Sequence, residues 1–212
     1  MSATTRSGRA GRPRSPEVDA AILDAALRLL AAEGYARMSV DGVAAEAGVS
    51  KAAIYLRHRG KADLATAALA HLRETGERPP TGDLRADLVE ELRRLRRNTE
   101  RVSAMPLVGT CLMEEQHTPE LLPLFRERTS LPRRARLREM LVAAGDRGEI
   151  DAGTDVEPAI DLFMGAYQSR YLSGEPFPRR WEEGIVDTLL SGLGHDPSDG
   201  GGLSSASGER AR

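Results

Sequence analysis

Apolar residues recur every three or four positions through most of the chain, interrupted by short stretches of Gly, Pro, Ser and Asp. That period predicts helices that each bury one face. The first opens at Ser15-Pro16, read as N-cap and first helical position, and carries Val18, Ile22, Ala25, Ala26, Leu29 and Leu30. Gly34 reads as its stop. Ser39 predicts the cap of a second, short helix with Val40, Val43, Ala44 and Ala47 on one face, ended by Gly48. Ser50 predicts the cap of a third, running to about 58, in which Ile54 is the clearest core position. A fourth runs from about 60 to 75 on Leu64, Ala68, Leu69 and Leu72.

Residues 76–83 (GERPPTGD) interrupt the periodicity with two prolines and two glycines and read as a linker. Helices follow at about 83–102, 106–117, 119–145, 155–173 and 179–193, with Pro132 expected to kink or divide the third of these. No segment alternates as a strand does, and no internal repeat is evident. The expectation is an all-α chain of about nine helices. It comprises an arm (1–14), an N-terminal domain (15–75), the linker, a C-terminal helical bundle (84–193) and a Gly/Ser-rich tail (194–212). Arm and tail are expected to be disordered.

Composition narrows the class. With 40% hydrophobic and 29% charged residues the chain reads as soluble and globular. No apolar run approaches the ~18 residues of a membrane span, and the basic start lacks the apolar core of a secretory signal. Cys111, the single cysteine, suits a reducing cytoplasm. Charge is uneven: residues 1–75 hold 11 Lys/Arg against 8 Asp/Glu, the remainder 19 against 24. A basic N-terminal half on an acidic remainder points to a polyanionic partner for one half only. Arg12 and Arg14 in the arm suit either a minor groove or diffuse phosphate contacts. The run Arg93, Arg94, Arg96, Arg97 reads as a solvated helix face or an interdomain ion-pair surface.

Two short helices joined by a tight turn form a helix-turn-helix pattern over 39–58. Ala44 is small where the helices must cross closely, and Gly48 supplies a turn residue able to take positive φ. At about 100° per residue, Lys51, Ala52, Tyr55 and Leu56 share the face opposite Ile54. Small and methyl-bearing side chains let such a helix enter the major groove and touch thymine methyls. Tyr55 and Lys51 reach toward phosphates, as do the free N–H groups beginning the helices at Ser39 and Ser50. Lys51 and Lys61 are the two lysines of the chain, and they bracket this helix.

The stretch SVDGVAAEAGVSKAAIYLRHRGKADL (39–64) resembles the DNA-binding region of TetR-family transcriptional regulators, and GRPRSPEVDAAILDAALRLLAAEGY (11–35) looks like that family's arm and first helix. The resemblance covers residues 11–75 with specific motifs and the rest in helical layout. It implies a homodimer that binds a double-stranded DNA operator and is released by a small-molecule effector. It also implies that the N-terminal half of the 50–58 helix, including Ala52 and Ala53, reads bases, while Tyr55 and Lys61 hold phosphates. His58 stands where the family usually has an aromatic residue, and reads either as a neutral packed ring or, protonated, as a phosphate contact. Leu56 stands where a polar or aromatic residue is common, which makes readout there apolar.

The C-terminal half holds most of the larger side chains. By the resemblance, Met105, Met113, Phe125, Phe163, Tyr167, Gln168 and Tyr171 are candidates for an effector pocket, and the last two helices, with Leu162, Ala166, Ile185 and Leu189, for the dimer interface. Enzyme chemistry finds little footing. Glu114-x-x-His117 is one half of a di-iron bundle motif that needs a second copy, and no phosphate-binding loop, dinucleotide fingerprint or zinc spacing occurs. No cofactor or metal is expected. The competing reading is a helical small-molecule-binding or metal-bundle protein with no DNA target.

Overall fold

The structure, a computed structural model, describes residues 15–75, 78–102, 104–113, 116–151 and 153–194, without the side chains of 74 and 75. The arm with Arg12 and Arg14, positions 76–77 of the linker, Glu114 and the tail beyond 194 lie outside the described residues. Those described form helices and connecting turns with no strand. The elements are α1 (Pro16–Arg37), α2 (Val40–Ala47), α3 (Lys51–Tyr55), α4 (Lys61–Thr75), α5 (Leu84–Arg101), α6 (Ala104–Met113), α7 (Leu121–Phe125), a π-helical turn (Arg126–Ser130), α8 (Leu131–Asp146), α9 (Glu157–Ser173) and α10 (Trp181–Gly192). α7, the π turn and α8 follow one another without a break, so they form one body, and the described residues make nine helices in all.

Local chemistry accounts for most boundaries. Ser39 Oγ accepts from Gly42 N at 3.0 Å and starts α2. Gly48, at φ 66°, ends it: Val49 N reaches Ala44 O and Gly48 N reaches Ala45 O, the paired bonds of a left-handed helix stop. Ser50 caps α3 through Ala53 N. Asp83 caps α5, accepting from Ala86 N at 2.9 Å. Ser15 departs from expectation: its hydroxyl donates to the Glu17 carboxylate and makes no capping bond. Gly34 breaks α1 at φ 75°, and a last turn continues to Arg37. α6 runs 104–113 rather than 106–117, and His117 lies in the turn that follows instead of at a helix end.

Pro132 divides its segment by a change of pitch. It has no N–H to donate, and its ring crowds the carbonyl four residues back. It sits in the first turn of α8, just after the wider turn in which Leu131 N reaches Arg126 O.

Two hydrophobic cores result. One joins α1–α4 and also takes Val102, Leu107, Cys111, Leu121 and Leu122, so α6 and α7 lean on the N-terminal half. The other joins α5, α8, α9 and α10 around Leu92, Leu137, Ile160, Phe163 and Val186. Two arginines of the α5 run, Arg93 and Arg96, tie α5 to α10 at the edge of this second core, while Arg97 pairs on the exposed surface of α5 itself. Arg93 pairs with Glu183, Arg96 with Glu182 and Glu100, and Arg97 with Glu90. Arg94 alone among them crosses to α4: it is buried, pairs with Glu91 at 2.6 Å and donates to Arg73 O.

Candidate nucleic-acid interface

Ile54, fully buried, and Arg57 fix α3 to the rest of the domain. Arg57 folds back to donate to Ala53 O at 2.9 Å and pairs with Asp19 of α1. Its guanidinium therefore ties two helices together and does not face outward. Opposite Ile54 stand Lys51, Ala52, Tyr55 and Leu56, all exposed; Leu56 is 73% and Tyr55 50% accessible, and Ala53 lies half-buried beside them. The helix is thus held firmly while presenting leucine, alanine and tyrosine to water.

Both lysines have partners in the free protein. Lys51 Nζ lies 2.8 Å from Asp41, a carboxylate of α2 that raises the affinity of the amine for its proton. Lys61 Nζ donates to Ala36 O at 3.0 Å and sits 4.5 Å from the centre of the Tyr35 ring, and its partial burial pushes its pKa down.

His58 is largely buried beside Asp63, with Nδ1 at 3.8 Å from the carboxylate. Burial lowers its pKa below the usual value, and the Asp63 charge opposes this without prevailing, so the neutral packed ring is the favoured form. Asp63 is a junction that no local sequence pattern singles out. Its carboxylate accepts from Arg59 N at 2.7 Å and pairs with Arg128 of the π turn, which also donates to Asp63 O at 2.7 Å and to Thr66 Oγ1 at 3.2 Å. Burial pushes this carboxyl up, but the Arg59 N–H and the Arg128 guanidinium together outweigh it and hold the pKa below the ordinary range.

A cavity of about 100 Å³ opens where the two cores meet. A single water needs only about 10–15 Å³ on such a measure, so the space suits a compact organic molecule. Of the residues proposed for a pocket, Met105, Phe125, Tyr167 and Gln168 line it. Phe163 is instead buried in the second core, Met113 is 86% exposed, and Tyr171 stacks on Tyr167 outside the lining. α4 contributes Leu69, Leu72 and Arg73, and the π turn with the start of α8 contributes Thr129, Ser130 and Arg133. None of these was anticipated.

On the outer face of α9, Leu162 is 69% and Leu172 78% exposed, and Ala166 is half-buried on the flank. Ile185 of α10 is half-buried, whereas Leu189 is buried in the second core. Cys111 is buried as well, and burial pushes its thiol up to about 11, far from a reactive thiolate at neutral pH. Among the described residues no cluster of His, Cys, Asp and Glu fits a metal ion, and no helix is long and apolar enough to cross a membrane.

These features define a two-part helical regulator with an N-terminal helix-turn-helix. Residues 22–68 match the family described as bacterial regulatory proteins, tetR family, and residues 78–189 match the tetracyclin repressor-like C-terminal domain. The chain belongs to the TetR family and is a helix-turn-helix transcriptional regulator. It is 33% identical over 180 residues to an uncharacterized HTH-type transcriptional regulator of Mycobacterium tuberculosis, covering 84% of this chain and 88% of that one. It is 34% identical over 177 residues to the DNA-binding transcriptional repressor TetR of Mycobacteroides abscessus, covering 81% and 90%. The crystal structure of TetR family transcription regulator SCO0332 superposes with a TM-score of 0.69 at 32% identity, over 84% of this chain and 98% of that one. Family membership displaces the reading of a bundle protein without a DNA target.

Proposed function

We propose that the chain is a homodimeric repressor that acts in the cytoplasm, binds a palindromic operator and is released by a small-molecule effector. The observation that carries the DNA-binding surface is the bare Ala52-Tyr55-Leu56 face on a helix locked by Ile54 and Arg57. Ala52, Ala53 and Leu56 meet base edges and thymine methyls. Tyr55, Lys51 and Lys61 hold phosphates, with the helix starts at Ser39 and Ser50 adding backbone N–H groups. Lys51 exchanges Asp41 for a phosphate as it binds. His58 packs rather than touching DNA.

The exposed Leu162 and Leu172 of α9, with Ala166 on their flank and Ile185 of α10, form an isologous interface that places two α3 helices one DNA turn (~34 Å), or a multiple of it, apart. Effector release then runs through two links. α4 has Lys61 and Asp63 at one end and Arg73, in the cavity wall, at the other. The π turn has Arg128 on Asp63 and Thr129 and Ser130 in the same wall. A ligand that repacks the wall can therefore bias the position of the DNA-binding helices, by no more than its difference in affinity for the two arrangements.

Selection of genomic fragments on the purified protein, followed by sequencing, tests the reading. Enrichment of an inverted repeat supports it, and recovery of no common sequence contradicts it.

A further inference from the structure

Glu91 lies buried in the middle of α5, where its two carboxylate oxygens hold two arginines. Arg94 Nη2 stands 2.6 Å from one oxygen, and Arg136 Nε of α8 stands 2.6 Å from the other. Each guanidinium then turns to a backbone carbonyl. Arg94 Nη1 donates to Arg73 O at 3.1 Å, and Arg136 Nη2 donates to Arg78 O. Asn98, one turn further along α5, donates to Leu72 O at 3.3 Å. Leu72 and Arg73 belong to the last turn of α4, the negative end of its dipole, which a cation suits. Arg78 lies across the linker. One carboxylate thus grips both sides of the connection between the two halves of the chain.

Buried charges of this kind are a poor source of stability, since apolar residues of similar volume commonly hold such a site as well or better. What forked guanidinium bonds supply is direction. α4 is also tied near its other end, where Asp63 pairs with Arg128 of the π turn. Two anchors fix the direction of a 15-residue helix, about 22 Å long at the usual rise. α4 shares one core with α1, α2 and α3, so that direction is passed to the DNA-facing helix.

We propose that Glu91 is a positioning residue for DNA recognition. Through Arg94 and Arg136 it sets the angle at which α4 leaves the C-terminal bundle, and with it the spacing between operator half-sites that the dimer accepts. Glu91 acts through these contacts and not on DNA itself, since it is buried in α5. Loss of the grip leaves α4 free to pivot about Asp63, so half-sites one base pair closer or farther become acceptable. The inference rests on the reading of the chain as a dimer on an inverted repeat, and the experiment separates the two.

The full chain is titrated by fluorescence anisotropy onto the selected inverted repeat, onto the same repeat with its spacer one base pair longer or shorter, and onto a duplex with a single half-site. Wild-type protein should prefer the selected spacing by about tenfold or more. Glu91→Gln should shrink that preference to about threefold or less while leaving half-site affinity unchanged. A second variant, Glu91→Leu with Arg94→Met and Arg136→Met, removes all three charges together and leaves none unpaired, and it should behave alike. Folded variants that keep the wild-type spacing preference overturn the inference. Weakening by one common factor on every duplex, half-site included, overturns it too, because that is the mark of a merely structural role. So does failure of both variants to fold, which assigns the trio to folding and not to spacing. Wild-type protein that prefers the inverted repeat but is indifferent to its spacer overturns the inference and leaves the dimeric reading intact. Equal wild-type affinity for half-site and inverted repeat refutes that reading and the inference with it.

Discussion

Replacing Arg128 with Met removes a side chain that ties the π turn to the head of α4. The loss comprises the ion pair to Asp63 and the bonds to Asp63 O and Thr66 Oγ1 at 2.7 and 3.2 Å. The Asp63 carboxylate keeps Arg59 N at 2.7 Å but is 90% buried, so its charge is left under-compensated. Breaking a fully buried pair costs about 3–5 kcal/mol. Arg128 is 29% exposed, so water shares the load and we expect about 2–3 kcal/mol. In a chain of this size that lowers Tm by roughly 4–12 °C, read by circular dichroism. Asp63→Asn alone should also destabilise, and the double variant should lose about 1–2 kcal/mol less than the sum of the two singles. The pair also predicts a pH signature. The Asp63 pKa is lower in the folded state than in the unfolded chain, so its stabilisation is present above about pH 4 and fades as pH falls below that. Arg128→Met should flatten that decline. A Tm shift under about 1 °C, or strict additivity, would refute the junction.

Four further outcomes follow from the same geometry. Lys51→Ala and Lys61→Ala should each weaken binding on all sequences alike and flatten the dependence of log K on log salt by about one unit per protomer; an unchanged slope removes that lysine from the phosphate contacts. Asp41→Asn frees Lys51 from an exposed pair worth roughly 0.2–1 kcal/mol and should tighten DNA binding up to about fivefold per protomer, whereas weaker binding would show that Asp41 positions Lys51. His58 titrates below its ordinary value when folded, so acidification below about pH 6.5 favours the unfolded chain, which takes up the proton more readily. His58→Phe should therefore flatten Tm against pH between about 6.5 and 5, and an identical profile contradicts the buried neutral ring. Leu162→Glu should convert a dimer to monomer in sedimentation velocity, and a dimer that survives unchanged moves the interface elsewhere.

Much of the fold was legible because its signals are local. Ser39, Gly48 and Ser50 set α2 and α3 through bonds within five residues, and periodicity alone placed α4, α5 and α9. The exposed face of α3 followed from Ile54 and 100° per residue. The π turn was not legible, since Pro132 announces only an interruption and the wider ladder depends on neighbours. Arg73, Arg128 and Arg133 sit in an arginine-rich chain where charge ordinarily means a wet surface. Their burial is decided by where two separate cores meet. Phe163 and Leu189 were misplaced for a related reason: α9 and α10 are apolar on more than one face, so sequence does not say which side turns inward.

The central claim is that α3 reads a DNA sequence. Fluorescence anisotropy on the selected inverted repeat and on a scrambled duplex, each at about 50 and 200 mM salt, tests it most directly. The account predicts that salt weakens both complexes steeply while the selected site keeps an advantage of about a thousandfold or more. It also predicts that Leu56→Ser reduces the advantage without changing the salt slope. Equal affinity for the two duplexes would contradict it.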